Sequence, residues 1–204
     1  MDRLQPLPDS LWAQPCLAYH VQPDLASETQ AELHRLQQSV VRYWPGALHL
    51  CPRDTLHVTI YALVPVRDEF DKHAYWGQIA ARSETVLRDL CDGTPAFHLH
   101  FERLKVTTSA IIAVARDDSG FIATIRQTLT EAIPPPPGGT PPRYDLIHST
   151  LARHRSPGPV PGSALHAVEG LPVSISAPVR GIRIIRETVF PCLVQDRIVT
   201  IPLR

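Results

Sequence analysis

The 204-residue sequence predicts an α+β fold with two pseudo-symmetric lobes, in which antiparallel sheets line a central cleft and helices lie outside. Three observations predict this fold. Segments with strand and helix periodicity alternate along the chain, one order of elements occurs twice, and each copy ends on a strand that carries the pattern His-x-Thr. We expect residues 1–15 to be a loose lead-in segment and residues 16–204 to form a single bilobal domain.

Periodicity predicts the individual elements. Alternating or continuous apolar runs predict strands at 17–22, 47–51, 56–64, 97–105, 110–115, 144–153, 173–177, 181–189 and 194–203. Apolar residues recur every three or four positions in the predicted helices, at about 27–44, 69–91, 119–133 and 164–169. The first helix has Ser27 and Gln30 at the spacing of a capping box. The segment PPPPGGTPP, residues 134–142, fits neither a helix interior nor a central strand, so we expect a stiff connecting loop.

The order of elements in the first half returns in the second half. A strand, a helix and the strand with His57 are matched by a strand, a helix and the strand with His148. Tyr19, at the centre of the first strand, precedes His57 by 38 residues, and Ile112 precedes His148 by 36 residues. Nearly equal offsets between like elements indicate a duplicated topology, although the two halves share no residue-level identity beyond the motif.

Composition and charge limit the classes of function. The chain has 20 basic and 20 acidic residues, so its formal net charge is zero. Proteins that hold long nucleic acids through many phosphates are usually basic, so we expect no long duplex nucleic acid as a partner. Zero net charge does not exclude a small anionic ligand that binds in a locally basic cleft. The four cysteines form no C-x-x-C pair and have no histidine cluster at zinc-ligand spacing, so we expect no metal and no other cofactor.

Hydrophobic targeting signals are missing from the sequence. No segment has the length and hydropathy of a membrane span, and the first residues lack the apolar centre of a secretory signal. We therefore expect a cytoplasmic, monomeric protein that does not contact membranes.

Strand geometry gives the two His-x-Thr motifs a chemical meaning. Side chains at i and i+2 point to the same face of a strand, so His57 shares a face with Thr59, and His148 shares one with Thr150. If both faces line one cleft, two imidazoles and two hydroxyls converge there. Such a quartet can hydrolyse a phosphodiester without a metal ion. One histidine takes a proton from water, the other protonates the leaving oxygen, and the hydroxyls bind the non-bridging oxygens.

The motif strands, LHVTI around His57 and HSTLAR from His148, resemble those of the two-histidine (2H) phosphoesterase superfamily. This superfamily includes the RNA 2′,3′-cyclic phosphodiesterases once named 2′-5′ RNA ligases. The resemblance implies a bilobal α+β fold, His57 and His148 as the acid–base pair, and Thr59, Thr150 and Arg153 as phosphate ligands. The implied activity is metal-independent hydrolysis of a nucleotide or RNA-end phosphodiester, above all a 2′,3′-cyclic phosphate.

Several residue assignments stay open at this level. Strict alternation turns Arg153 away from the face of His148 unless the strand ends or twists there. Tyr61, next along the face of the first motif, and Tyr144 could contact a base or sugar of a substrate, or could pack in a core. The loop at 134–142 could be a lid over the cleft or a plain connector.

The substrate and the turnover are open as well. The same chemistry could act on a cyclic dinucleotide or on ADP-ribose cyclic phosphate. A nucleotide-binding module could keep the cleft and lack turnover. The sequence does not assign which histidine is the base and which is the acid, nor whether the product is a 2′- or a 3′-phosphate.

Overall fold

The computed structural model describes residues 4–204. This part of the chain forms one antiparallel sheet of eight strands with four α-helices, which confirms the predicted α+β class. The strands are β1 (Pro15–Leu25), β2 (Leu48–Leu50), β3 (Tyr61–Val64), β4 (Phe97–Val106), β5 (Ala110–Asp117), β6 (Ile147–His154), β7 (Ile175–Val189) and β8 (Val194–Pro202). The helices are α1 (Ser27–Val41), α2 (Lys72–Cys91), α3 (Phe121–Ala132) and α4 (Gly162–Glu169), and a 3-10 turn spans Arg53–Thr55. No helix within residues 4–204 is both long enough and apolar enough to span a membrane.

The strand order mirrors the repeat in the sequence. Neighbouring strands follow the order β2-β6-β5-β4-β7-β1-β3, and β8 pairs with β7. The adjacent strands β4 and β7 lie at the centre of this order. Moving outward from β4, the next strands are β5 and β6, and moving outward from β7 they are β1 and β3. The sequence repeat matches β5 with β1 and β6 with the strand that follows His57. A duplicated topology therefore fits the sheet, while the division into two lobes stays a prediction.

The sheet has one face covered by helices and one open face. On β5, Ile111 and Ala113 belong to the main core, together with apolar residues of α1, α2 and α3. Ile112 and Val114 alternate with them and form a separate small cluster on the other face. We call the first the helix-covered face and the second the open face. Register and burial together then show which side chains can meet at a site.

The strand predicted at 56–64 is wrong over its first five residues, because only β3 pairs as a strand. Before β3, Val58 forms an isolated bridge with Ser149, and the N–H of Ile60 donates to the carbonyl of Val21 at 2.8 Å. The segment thus crosses from β6 to β1. A chain that changes its partner within three residues cannot form one continuous ladder.

The predicted capping box at the start of α1 is also wrong. Ala26 is the N-cap instead of Ser27, and no side chain caps this helix. The amide of Gln30 donates instead to the carbonyls of Asp54 and Leu56, both at 3.0 Å. These bonds hold the 3-10 turn just before the first motif.

The two strands predicted at 173–177 and 181–189 are one strand, β7. Its first part pairs with β4 and its second part pairs with β1, so a single long strand joins the two halves of the sheet. The segment predicted as a loop at 134–142 forms neither helix nor strand, as expected. Its role as a lid stays a prediction.

The lead-in segment is not loose over residues 4–14, while residues 1–3 lie outside the described part of the chain. Leu4 pairs with Val160, and the N–H of Leu7 donates to the carbonyl of Thr108 at 2.7 Å. The segment is therefore packed along the folded chain.

Candidate active site

The two His-x-Thr motifs meet at the antiparallel bridge between Val58 and Ser149. Both bridge residues are fully buried, with 0% of their surface exposed. Their sequence neighbours point toward the opposite, open face, because side chains alternate along extended chain. These neighbours are the four predicted site residues, His57, Thr59, His148 and Thr150. Antiparallel pairing sets each histidine beside the threonine of the other motif.

The backbone orients the ring of His57. Its Nδ1 donates a 2.7 Å hydrogen bond to the carbonyl of Thr55. Because a carbonyl only accepts, Nδ1 carries the proton, and Nε2 keeps a lone pair when the ring is neutral. Burial lowers the pKa of His57 to about 4, and the Thr55 hydrogen bond opposes this shift. The charges of His20 and Arg183 lower the pKa further, and that of Glu187 raises it. The ring of His57 is therefore neutral at neutral pH.

A buried histidine–glutamate pair lies close enough to affect His57 and was not predicted from the sequence. Nε2 of His20 lies 2.6 Å from Oε2 of Glu187, and Oε1 accepts a 2.7 Å hydrogen bond from the backbone N–H of Cys192. Burial by itself would raise the pKa of Glu187, but the hydrogen bond and charge of His20 bring it below its usual value.

The same cluster offers donor atoms for a metal ion. His20, Glu187 and Cys192 present ligand atoms within 4.8 Å of one another. Both carboxylate oxygens of Glu187 already have partners within the chain, however, and His20 bonds directly to one of them. The carboxylate of Glu187 is therefore fully paired within the chain, whereas Nδ1 of His20 is buried without a hydrogen-bond partner in the described residues 4–204.

His148 lies on β6 and is exposed at the open face. Its pKa is lowered, first because the surrounding protein keeps water from part of the ring, and then because Arg126 and Arg153 are positively charged. Arg126, on α3, donates from Nε to the carbonyl of Ile60 at 3.0 Å and from Nη2 to that of Leu146 at 3.1 Å. It thus ties the end of the first motif segment to the start of the second motif strand.

A β-bulge brings Arg153 to the open face. Between Thr150 and Ala152, β6 has one residue more than β5, which is Leu151. The extra residue reverses the alternation, so Arg153 pairs with Ala110 and shares the open face with Thr150. The expectation from strict alternation, that Arg153 faces away from His148, is therefore wrong because of this bulge.

A buried amide holds the bulge in place. Gln37 on α1 is 0% exposed, and its Nε2 donates to the carbonyl of Leu151 at 2.6 Å and to that of Cys51 at 2.7 Å. The sequence carried a signal that was missed, since Gln37 is a polar residue inside the apolar stripe of α1. Arg126 and Glu187 gave no comparable signal, because their roles depend on which strands become neighbours.

The guanidinium of Arg153 already has partners in the fold. Its Nη1 donates to Oδ2 of Asp9 at 2.7 Å, and its central carbon lies 4.7 Å from the centre of the Phe190 ring. Asp9 also pairs with Arg67 at 3.1 Å, and its side chain is only 1% exposed. An anion that binds Arg153 must therefore share it with Asp9 or displace Asp9.

Tyr61 and Tyr144 pack against each other, with ring centres 5.9 Å apart. Tyr61 is 4% exposed, and its hydroxyl lies 3.5 Å from that of Thr130 on α3. The expectation that Tyr61 shares the face of the first motif is therefore wrong, because the break before β3 turns it toward the helices. The hydroxyl of Tyr144 accepts a 2.5 Å hydrogen bond from the N–H of Ala62. Contact of Tyr144 with a ligand stays a prediction.

Solved structures share this fold. A protein of Thermus thermophilus, TT0787, superposes with a TM-score of 0.67 at 21% identity, over 92% of this chain and 98% of its own. E. coli LigT complexed with phosphate superposes with a TM-score of 0.58 at 14% identity, over 93% of this chain and 99% of its own. E. coli LigT complexed with 3′-AMP superposes with a TM-score of 0.56 at 15% identity, over 94% of this chain and 96% of its own. No curated protein is a significant match by sequence.

A family-level sequence match covers most of the chain, including both motifs. The sequence model described as the 2′-5′ RNA ligase superfamily matches residues 47–189, which is more than half of the chain. The match spans both histidines, the bulged β6 and all of β7, so it includes both motif segments that form the quartet. The chain belongs to the 2′-5′ RNA ligase superfamily, which is a superfamily of two-histidine phosphoesterases.

Proposed function

We propose that this protein is a metal-independent phosphodiesterase that opens a 2′,3′-cyclic phosphate on a nucleotide or at an RNA end. One observation carries the proposal, namely the bridge between Val58 and Ser149 that pairs the two motifs. Membership in a superfamily of phosphoesterases supports chemistry on phosphoesters. The pairing of a neutral, oriented imidazole with a second, exposed imidazole supports acid–base hydrolysis.

The proposed reaction divides the proton transfers between the two histidines. Nε2 of His57 takes a proton from a water molecule while the water oxygen attacks phosphorus. His148 gives a proton to the ribose oxygen as its bond to phosphorus breaks, and a phosphomonoester remains. We assign His57 as the base because its pKa is lowered to about 4 and its lone pair is free. We assign His148 as the acid because it is exposed at the open face, where a bound phosphate would favour its protonated form.

The hydroxyls of Thr59 and Thr150 complete the proposed site. Each can donate to a non-bridging phosphate oxygen, where negative charge grows in the transition state. Arg153 is the proposed third phosphate ligand, and it is placed on the same face by the bulge after Thr150. A nucleotide substrate is consistent with LigT, which has been solved with ATP and with 3′-AMP.

The test is hydrolysis of adenosine 2′,3′-cyclic phosphate and of 2′-5′-linked oligonucleotides by purified protein in the presence of EDTA. We expect EDTA-resistant formation of one phosphomonoester from the cyclic nucleotide. Loss of activity on chelation would contradict the metal-independent mechanism. Chromatography of the product identifies the 2′- or 3′-phosphate and hence the leaving oxygen.

Variants of the two histidines test the site itself. His57→Gln and His148→Gln should each lower kcat by at least about 100-fold, which is the lower range for a general acid or base. His73→Gln, at an exposed position on α2, is the matched control and should keep activity. Full activity in either motif variant would refute the assignment. Tight binding of the nucleotide by the unmodified protein without product would identify a binding module instead.

A further inference from the structure

Two cations lie on the open face, two strands away from the second motif. On β4, Leu104 belongs to the main core, so its neighbours Arg103 and Lys105 point to the open face. Both side chains are exposed. They form a short basic row beside the proposed active site.

The sheet register aligns this row with the catalytic strand. Arg103 pairs with Val114, which pairs with His148 on the next strand. Lys105 pairs in the same way with Ile112, and Ile112 pairs with Thr150. Each cation is therefore level with one motif residue, across one intervening strand. Two strand spacings amount to about 10 Å between backbones, and a long basic side chain spans much of that distance.

Three other arginines near the open face are engaged. Arg116 pairs with Glu102 and with Asp118. Arg126 donates hydrogen bonds to two backbone carbonyls, and Arg153 forms an ion pair with Asp9.

The two cations of the row differ from these arginines. Within residues 4–204, neither Arg103 nor Lys105 has a carboxylate within 4.0 Å or a side-chain hydrogen bond. This row therefore supplies positive charge that is available to a ligand beside the quartet, although the whole chain has no net charge.

We propose that Arg103 and Lys105 form a subsite for the phosphates that precede a terminal 2′,3′-cyclic phosphate, so that the substrate is a single-stranded oligonucleotide rather than a free nucleotide. This inference rests on the proposed function, because it takes the quartet as the place where the cyclic end reacts. A cyclic mononucleotide ends at the quartet and leaves the row empty. An oligonucleotide continues on its 5′ side and brings further phosphates across the open face, where a basic row binds the backbone without reading the bases.

The kinetic test compares two substrates on one enzyme. The kcat/KM for a short oligonucleotide with a 2′,3′-cyclic end is divided by that for adenosine 2′,3′-cyclic phosphate. We expect this ratio to be about 10 or more in the unmodified protein and to fall at least about fivefold in the double variant R103A/K105A. The control R42A/R82A removes the same charge at two exposed positions, the C-cap of α1 and a position on α2, and should keep the ratio.

A binding measurement separates failure of the inference from failure of the proposed function. Fluorescence anisotropy with the His148→Gln variant reports oligonucleotide affinity without turnover. Each lost phosphate contact on a single strand should reduce the slope of log affinity against log salt by about 0.7, so R103A/K105A should reduce it by about 1.4. An unchanged slope, or a substrate ratio near 1 in the unmodified protein, would overturn the subsite while leaving cyclic nucleotide hydrolysis intact. If neither substrate is hydrolysed, the salt slope alone decides the subsite.

Discussion

Val58 and Ser149 are buried partners in an isolated bridge, and the hydroxyl of Ser149 has no hydrogen-bond partner within residues 4–204. The two positions next to it along β6 are His148 and Thr150, two of the proposed site residues. Along each motif, the bridge residue holds the two segments together, and the residues on either side of it are the ones proposed to do chemistry.

Loss of the hydroxyl should change stability at Ser149 and activity at Thr150. Ser149→Ala removes a buried polar group without a partner, so we expect the free energy of unfolding to rise by up to about 1 kcal/mol. Thr150→Val removes a proposed phosphate donor, so we expect kcat/KM to fall by about 100-fold at nearly unchanged stability. Urea unfolding and cyclic nucleotide hydrolysis measure the two effects. Equal activity in both variants would refute the role of Thr150.

Gln37 should contribute to both stability and phosphate binding. Gln37→Leu leaves the buried carbonyls of Leu151 and Cys51 without this donor, at a cost of about 1–3 kcal/mol for an unsatisfied buried group. Relaxation of the bulge should also turn Arg153 from the open face and weaken inorganic phosphate binding, measured by titration calorimetry. The control Gln38→Leu changes the adjacent, more exposed position of α1 and should leave phosphate binding intact. Normal phosphate affinity in Gln37→Leu would show that the bulge does not depend on this amide.

After burial, Arg126 should be the main contributor to the lowered pKa of His148. Its charge lowers the pKa of His148, so Arg126→Met should raise that pKa toward the ordinary value of about 6.5. The variant also leaves the carbonyls of Ile60 and Leu146 without these donors, so we expect lower stability. NMR titration of the His148 ring measures the first effect. A pKa that stays the same or falls further would contradict the electrostatic role.

His57 should make the protein less stable in mild acid. Its pKa is about 4 in the native state and near 6.5 in an unfolded chain, so the unfolded state takes up the proton first as the pH falls. Stability from this residue is complete above about pH 6.5 and is lost as the pH falls toward 4, by at most about 3 kcal/mol. Urea unfolding at pH 7, 5 and 4 should show a smaller loss in His57→Gln than in the unmodified protein. Identical losses would show that another group controls the acid sensitivity.

Much of the fold followed from local pattern. Strand and helix periodicity found every strand of the sheet, and the spacing between Tyr19 and His57 predicted which elements correspond. The face of Thr59 and Thr150 also followed from alternation. These features depend on residues that are close in the sequence, so the sequence alone could express them.

The features that sequence reasoning missed depend on long-range pairing. Alternation failed at Tyr61 because the segment before it changes partner from β6 to β1, and no local pattern records such a change. It failed at Arg153 because of one extra residue at Leu151. The partner of Glu187 is His20, which lies 167 residues earlier in the chain and becomes its neighbour only in the sheet.

The bulge at Leu151 has a consequence for how this site can change during evolution. We expect the direction of Arg153 to depend on the inserted Leu151 and on the amide of Gln37, which lies 114 residues before Leu151 in the chain. A lineage that loses the amide at position 37 gains little from keeping an arginine at position 153, and the reverse also holds. Among relatives of this chain, the two positions should therefore be gained and lost together, even though their side chains lie on opposite faces of the sheet.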